Sequence, residues 1–179
     1  MLGAIIGDVV GSLYEFNSDK TKDFELLTPS CRLTDDSLMT IAVGCACVSS
    51  SIYDKDSFQA TLCALMREIG NMYPSAGFGA SFYNWLMDER AGPYNSYGNG
   101  SAMRVSPVAW VTNGLEEAER LAEWSAEITH NHPEGIKGAK AIAACIYLAR
   151  DGKTKEEIKE YVNKKSPFLL NRKSHRRRC

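Results

Sequence analysis

One run of residues, 38–48, is apolar on nearly every face of the helix that its composition predicts. A helix of this kind belongs inside a protein, because on the surface its apolar side chains would meet water. The rest of the chain must therefore supply other helices to surround it. With 179 residues, of which 44% are hydrophobic and 24% charged, the chain can do so as one soluble globular domain.

The remaining sequence predicts further helices joined by loops rich in glycine, proline and asparagine. Residues 54–69 and 78–89 are two such helical stretches. Only the run MRVSPVAWV has a strand-like pattern, and its proline argues against a strand. Gly3, Gly7 and Gly11 would line one face of an N-terminal helix, where another helix could approach closely. The predicted fold class is all-α.

Charge is distributed unevenly along the chain, although the formal net charge is only −1. Residues 164–179 contain seven of the 21 basic residues and none of the 22 acidic ones. This segment has three interpretations: a natural basic tail, a nucleic-acid contact, or the product of a truncated or frame-shifted reading. The truncated reading is favoured over nucleic-acid binding, because no aromatic residue that could stack on bases lies among the arginines. We predict a helical domain over residues 1–163 and a basic tail over residues 164–179.

Cysteine usage and apolar runs indicate the compartment. The six cysteines form no CxxC pair, and three of them lie in predicted helices, as reduced thiols of cytosolic proteins do. Residues 1–16 are largely apolar, but they lack a basic start and contain Asp8, unlike a signal peptide. No apolar run approaches the roughly 20 residues that a membrane helix needs. We expect a cytoplasmic protein with no membrane partner.

Two adjacent acids, Asp35 and Asp36, follow Thr34 at the start of the apolar run. One interpretation is a helix start, with Thr34 as the N-cap and the acids near the positive end of the helix dipole. A second adjacent acid adds repulsion and desolvation, which a divalent cation would remove. Three oxygen-bearing side chains suit a hard ion such as Mg²⁺. From the spacing alone, the two interpretations are equally good.

Two later segments could also carry chemistry. PYNSYGNGSAMR contains a loop of small residues, 98–101, that could present backbone N–H groups to a phosphate, although an ordinary turn explains it better. THNHPEG contains His130 and His132, but its ligand spacing fits no usual zinc site. A helix end followed by a helix that begins with proline explains this segment at least as well. Asp8 and Glu15 lie near the end of an apolar helix, where an acid must be paired or functional.

Taken in order, four segments resemble the signature segments of the ADP-ribosylglycohydrolase family, of the dinitrogenase reductase-activating glycohydrolase type. They are GAIIGDVVGSLYE, TDDSLMT, GNGSAMRVSPVAW and THNHPEGIKGA. The resemblance covers residues 1–163. It implies a compact orthogonal bundle of helices and a hydrolase with a binuclear Mg²⁺ centre. Such an enzyme would remove ADP-ribose from a modified protein or small molecule by cleaving the bond at C1″.

The resemblance also implies roles for individual residues. Thr34, Asp35 and Asp36 would bind metal. Glu15 and Asp35 would be the catalytic carboxylates, with Glu15 near the ribose for positioning or general acid–base work. The ADP-ribose pocket would include Asn99, Gly100, Ser101, Met103 and His130.

One part of the family pattern is missing from this sequence. Family members carry a second metal-binding cluster, Asp-x-Asp-Thr, late in the chain, and nothing here matches it. The resemblance therefore implies a truncated chain that lacks the last helices of the fold, holds Mg²⁺ weakly or not at all, and has impaired activity. A second copy could cover the apolar surface left open, so a homodimer is one expectation. The alternative function is a non-catalytic protein that binds ADP-ribose or a nucleotide.

Overall fold

The computed structural model describes residues 1–15 and 21–165, and within these ranges the chain forms helices and no strand. The predicted all-α fold class is confirmed. Residues 166–179 of the predicted tail lie outside the described part. The described helices, in chain order, are α1 (Leu2–Gly11), α2 (Asp35–Ser49), α3 (Lys55–Met72), α4 (Ala80–Met87), α5 (Gly100–Arg104), α6 (Val108–Val111), α7 (Leu115–Glu127), α8 (Pro133–Arg150) and α9 (Lys155–Lys165).

Helix α2 lies at the centre of the described helices, as its composition predicts. Met39, Ala42, Val43 and Ala46 are completely buried, and α1, α3, α5 and α6 pack around the helix. The enclosure is incomplete, because Val48 in the last turn is 79% exposed. The middle of α2 is therefore buried as predicted for a central helix, and its C-terminal end presents uncovered apolar surface, which was the other expectation for this helix.

The strand-like run MRVSPVAWV is helical instead. It forms the end of α5 and all of α6, with Pro107 as the N-cap of α6 at a φ of −62°, close to the value that the proline ring imposes. Val105 and Val108 on either side of this proline are completely buried. Their β-branched side chains therefore pack in the core next to two short helices and do not belong to a sheet.

The C-terminal part of the described chain is built on α7 and α8, which pack against each other, with α9 against α8. The turn between α7 and α8 contains the THNHPEG segment. His132 is the N-cap of α8, and its Nδ1 accepts a hydrogen bond from the backbone N–H of Glu134 at 3.1 Å. Pro133 begins the helix. The structure therefore shows a helix end followed by a helix that begins with proline.

Helix α1 lies at the edge of the described fold. None of its residues is buried, and Ile6 is 59% exposed. A Cβ added to Gly3, Gly7 or Gly11 would meet no atom within 4 Å. Within residues 1–15 and 21–165, the close helix approach predicted from this glycine stripe is therefore not found.

The described part of the chain has no candidate for a membrane span, since none of its helices is both long and apolar enough. Its five cysteines are free thiols, and Cys47 is the buried one. Burial raises the pKa of the Cys47 thiol to about 12, so this side chain stays protonated and unreactive at neutral pH.

Candidate functional site

A cavity of about 300 Å³ lies where the start of α2 meets α4, α5 and the turn between α7 and α8. Two aromatic side chains, Phe82 and Tyr94, form part of its wall. The cavity brings together predicted site residues that are far apart in the sequence, namely Asp35, Asn99, Gly100, Met103 and His130. The folded chain therefore assembles these residues around one opening.

The start of α2 is held by a carboxylate from another helix. Thr34 is the N-cap, and its Oγ1 accepts a hydrogen bond from the backbone N–H of Asp36 at 3.4 Å. The Thr34 hydroxyl donates in turn to the carboxylate of Asp8 in α1. That carboxylate also accepts from the backbone N–H groups of Thr34 at 2.9 Å and Ser37 at 3.2 Å. Asp8 is therefore a second cap for α2, supplied by α1.

Asp8 is absent from the predicted site residues. The sequence signal for it was its position inside an apolar helix, where an acid needs a partner. The pattern did not indicate which partner, because that partner lies 26 residues away along the chain. In the structure the partners of Asp8 are the backbone N–H groups of Thr34 and Ser37 and the hydroxyl of Thr34, all at the start of α2.

Four carboxylates influence one another at this end of α2: Asp8, Glu15, Asp35 and Asp36. Burial, together with the negative charges of Asp36, Glu15 and Asp8, raises the pKa of Asp35 to about 6. Burial likewise raises the pKa of Asp36, with contributions from Asp8 and Glu15. The predicted catalytic residue Glu15, exposed beyond the end of α1, therefore lies within electrostatic reach of both predicted metal-binding acids.

The acids at the start of α2 fit one part of a divalent-cation site. Asp35 and Asp36 offer the carboxylate oxygens that Mg²⁺ takes as ligands, and their repulsion is what a cation would relieve. Thr34 is 3% exposed, and its hydroxyl is already bonded to Asp8 and Asp36, which leaves one lone pair. Residues 1–15 and 21–165 contain no group of three or more His, Cys, Asp or Glu side chains arranged to hold a metal. The described residues therefore do not complete the site.

The glycines of the 98–101 loop bring its backbone against the imidazole of His130. A Cβ on Gly100 would lie 2.8 Å from Cε1 and Nε2 of His130, which is too close for any other residue at this position. A Cβ on Gly98 would lie 3.9 Å from the same Nε2. Neither glycine has a positive φ. Close approach, and not an unusual backbone conformation, is therefore the reason for glycine at position 100.

Ser101, predicted in the pocket, does not face the cavity. It is 1% exposed, and its hydroxyl donates to the carbonyl of Gly135 at 2.8 Å. This bond ties α5 to α8. Asn99 is exposed at the cavity rim and Met103 is half-buried in its wall. Ser101 therefore fixes the position of the loop on which its neighbours reach the cavity.

Arg104 also lines the cavity and is absent from the predicted site residues. It is 1% exposed, and its Nη2 donates to the carbonyl of Ser125 at 2.8 Å and to Oγ1 of Thr129 at 2.9 Å. Burial lowers the pKa of Arg104 to about 10, so it keeps its charge at neutral pH. Burial and this charge lower the pKa of His130 to about 4, so His130 is neutral. An arginine inside the apolar run MRVSPVAWV was the available signal.

Comparison with known proteins identifies the family of the chain. A sequence model of the ADP-ribosylglycohydrolase family matches residues 1–173. The match continues past residue 163, and the domain boundary drawn there stays a prediction.

Curated relatives carry related names. The chain is 25% identical to "ADP-ribosylhydrolase ARH3" from Homo sapiens, in an alignment that covers 88% of this chain and 50% of the human protein. It is 24% identical to the Mus musculus protein of that name, with the same coverage. It is 27% identical to "ADP-ribosylarginine hydrolase Tri1" from Pseudomonas putida (strain GB-1), covering 88% of this chain and 47% of that protein. The chain thus spans about half the length of these relatives and belongs to the ADP-ribosylglycohydrolase family.

Proposed function

We propose that the cavity beside Asp35 binds ADP-ribose and that the chain takes part in hydrolysis of the bond at C1″ of its ribose. The observation that carries this proposal is the convergence of Asp35, residues 98–100 and His130 on one opening. Family membership and the names of the relatives support it. The substrate would be an ADP-ribosylated protein or a small-molecule conjugate of ADP-ribose.

The lining of the cavity combines side chains of different chemistry in a way that suits this ligand. Asp35 can accept hydrogen bonds from ribose hydroxyls. Arg104 and His130 belong to the same lining, and no described acid forms a salt bridge with the Arg104 guanidinium. The field of this buried cation favours an anionic group such as a pyrophosphate. Phe82 and Tyr94 offer apolar ring faces to the remainder of the molecule.

The carboxylates define the proposed chemistry. Asp35 would orient the ribose and an attacking water beside C1″. Glu15 would serve as the second carboxylate, exchanging a proton with the leaving group or the water, as glycosidic cleavage generally requires. Mg²⁺, when held by Asp35, Asp36 and Thr34 with ligands from outside the described residues, would polarise a bound oxygen and activate water. Mg²⁺ dependence is part of the proposal.

The test measures ADP-ribose release from an ADP-ribosylated protein and ADP-ribose binding by calorimetry, with Mg²⁺ and with EDTA. We expect binding by the wild-type chain and weak, Mg²⁺-dependent release that disappears in Asp35→Ala. Asp88→Ala, an exposed acid beyond α4, is the control and should behave as wild type. A wild-type chain that neither binds ADP-ribose nor releases it would refute the proposal.

A second candidate function is a non-catalytic ADP-ribose or nucleotide binder. The observation in its favour is that no described group of side chains completes a metal site. This function predicts binding that is the same in Mg²⁺ and in EDTA, with no release under either condition. Mg²⁺ titration calorimetry distinguishes the two functions further. Two tight Mg²⁺ sites would show a complete metal site, which contradicts the observation that favours the non-catalytic binder.

The proposal includes three further expectations. We expect a cytoplasmic location, which tagging in cells would test, and a homodimer, which sedimentation would test. Nucleic acid is not an expected partner. If nucleic acid did bind through the basic tail, its affinity would fall steeply with salt and disappear when residues 166–179 are removed.

A further inference from the structure

A series of hydrogen bonds connects the buried guanidinium of Arg104 to the cavity. Arg104 Nη2 donates to Thr129 Oγ1 at 2.9 Å, and this Oγ1 lies 2.8 Å from Nδ1 of His130. Thr129 is completely buried, and Arg104 and His130 are 1% and 4% exposed. Because water has almost no access to Thr129, its hydroxyl must find its hydrogen-bond partners within the protein, whereas the buried Nε of Arg104 has none among the described residues.

The donors and acceptors in this series of hydrogen bonds determine where its protons lie. A guanidinium can only donate, so Thr129 Oγ1 accepts from Arg104 and keeps its own proton to give. Besides Arg104, Thr129 Oγ1 has one hydrogen-bond partner in the described residues, Nδ1 of His130. If Nδ1 carried a proton and donated it to Thr129, the hydroxyl proton would be buried without an acceptor, at a cost of about 1–3 kcal/mol. Thr129 therefore donates and Nδ1 accepts.

The other ring nitrogen of His130 then carries the proton. Nε2 lies next to Gly98 and Gly100 of the cavity wall and has no hydrogen-bond partner in residues 1–15 and 21–165. We propose that Arg104 and Thr129 are positioning residues that hold His130 as a neutral Nε2–H donor directed at a ligand oxygen in the cavity. The ligand group is an anionic oxygen, for which the uncompensated charge of Arg104 behind the imidazole adds attraction.

Taken with the proposed function, on which this identification rests, the oxygen belongs to the pyrophosphate of ADP-ribose. A doubly protonated imidazole beside the Arg104 guanidinium would place two buried positive charges together. The lowered pKa of His130 agrees with the neutral form. Thr129 therefore determines which ring nitrogen of His130 donates a hydrogen bond to the ligand. Arg104 donates to Thr129 Oγ1, so that the Thr129 hydroxyl itself donates to His130.

Nuclear magnetic resonance of the 179-residue chain, with ¹⁵N-labelled histidines, tests the proton placement without any ligand. Long-range ¹H–¹⁵N correlation distinguishes the two neutral forms, and His130→Gln identifies the signals of this residue among the three histidines. We expect the Nε2–H form at pH 7 in the wild type and in Thr129→Ser, and a mixture of forms in Thr129→Val. Wild type in the Nδ1–H form, or Thr129→Val with unchanged signals, would overturn the proposal.

Thr112→Val is the matched control for the loss of a buried hydroxyl. Thr112 is similarly buried, with 1% exposure, but its hydroxyl donates to the carbonyl of Val108 and not to His130. This variant should lose stability and leave the His130 signals unchanged. If both valine variants shift His130 alike, the effect is general loosening of the fold and the proposal fails.

ADP-ribose calorimetry then tests the ligand. We expect Thr129→Val to weaken binding by about tenfold, as it would if only about a tenth of the molecules kept the Nε2–H form, while Thr129→Ser restores it. Equal affinity of wild type and Thr129→Val would overturn the assigned role of His130. If the resonances show the Nε2–H form but no variant binds ADP-ribose, the proposed function fails while the proton placement stands.

Discussion

At the scale of single residues, the acids at the start of α2 work against the stability of the fold. Asp35 is ionised at neutral pH although burial and three neighbouring negative charges oppose its ionisation. A carboxyl whose pKa is raised in the folded chain stabilises the fold at low pH and less as pH rises through its folded pKa. Functional sites are where such unfavourable charges are commonly found.

Asp35→Asn should therefore stabilise the protein in the absence of divalent ions. In EDTA at pH 7.5 we expect a gain of about 1 kcal/mol in the free energy of unfolding, measured with urea, after allowance for solvent screening. The gain should shrink as pH falls below about 6, where Asp35 becomes protonated. Mg²⁺ should stabilise the wild type and not the variant. An exposed control, Glu89→Gln, should change nothing, and a less stable Asp35→Asn would contradict the argument.

The contribution of His130 to the free energy of unfolding should depend on pH in the opposite direction. Its folded pKa of about 4 lies below the ordinary value of 6.5, so protons prefer the unfolded chain. Its contribution to stability is complete above pH 6.5 and is lost progressively as pH falls toward 4. The difference in unfolding free energy between wild type and His130→Gln should therefore decrease over this range, by on the order of 3 kcal/mol. Urea titrations at half-unit pH steps measure it, and a flat difference would refute the buried neutral state.

At the scale of elements, the site depends on how closely α5 and the loop before it approach α8. Gly135 in α8 is the contact point, since a Cβ there would lie 2.7 Å from the carbonyl oxygen of Ser96 and 3.1 Å from Cβ of His130. The Ser101 hydroxyl bonds to the carbonyl of this same glycine. A single position on α8 thus sets the location of both the cavity loop and His130.

Gly135→Ala should accordingly damage binding more than a comparable change elsewhere in α8. The methyl group would push the loop backbone away, and we expect a destabilisation of about 2 kcal/mol and loss of measurable ADP-ribose binding. Gly138→Ala is the matched control, because its Cβ would make an ordinary 3.8 Å contact with Ala102. That change should stabilise the helix by up to about 1 kcal/mol. Thermal unfolding and calorimetry of both variants measure the difference, and equal effects would contradict the argument.

At the scale of the whole molecule, burial is concentrated around α2 and is absent from α1. The buried cluster draws on α2, α3, α4, α6, α7 and α8. Helix α1 contributes no buried residue and leaves Leu2 72% exposed. Local opening should therefore be easy at α1 and difficult at α2.

Hydrogen–deuterium exchange measures this difference directly. Amides of α1 should exchange at least about a hundredfold faster than those in the middle of α2 in a dilute sample. Repeating the measurement at high protein concentration tests the expected homodimer, because a second copy covering α1 would slow its exchange. Protection of α1 that equals that of α2 at every concentration would contradict the exposed position described here.

Periodicity and composition were enough to predict the helical fold, because the apolar run that begins at Leu38 requires surrounding helices. The site could be predicted less completely. Local motifs indicated Asp35 and Gly100, but the residues that share the cavity with each of them come from distant segments. The Arg104 to Thr129 bond spans 25 residues, and the Ser101 to Gly135 bond spans 34. Spacing within one motif contains no information about such pairs, so the supporting residues were found only in the fold.

The bond between Asp8 and the start of α2 has a consequence for the order of folding. Helix α1 precedes α2 along the chain, yet it has no buried residue of its own, and Thr34 follows Asp8 by 26 residues. Its docking therefore waits until α2 has formed and presented its free N–H groups. Interactions made after the transition state change the unfolding rate and leave the folding rate nearly unaltered. Replacement of Asp8 by Asn should shorten the lifetime of the folded chain while leaving the speed of its formation almost unchanged.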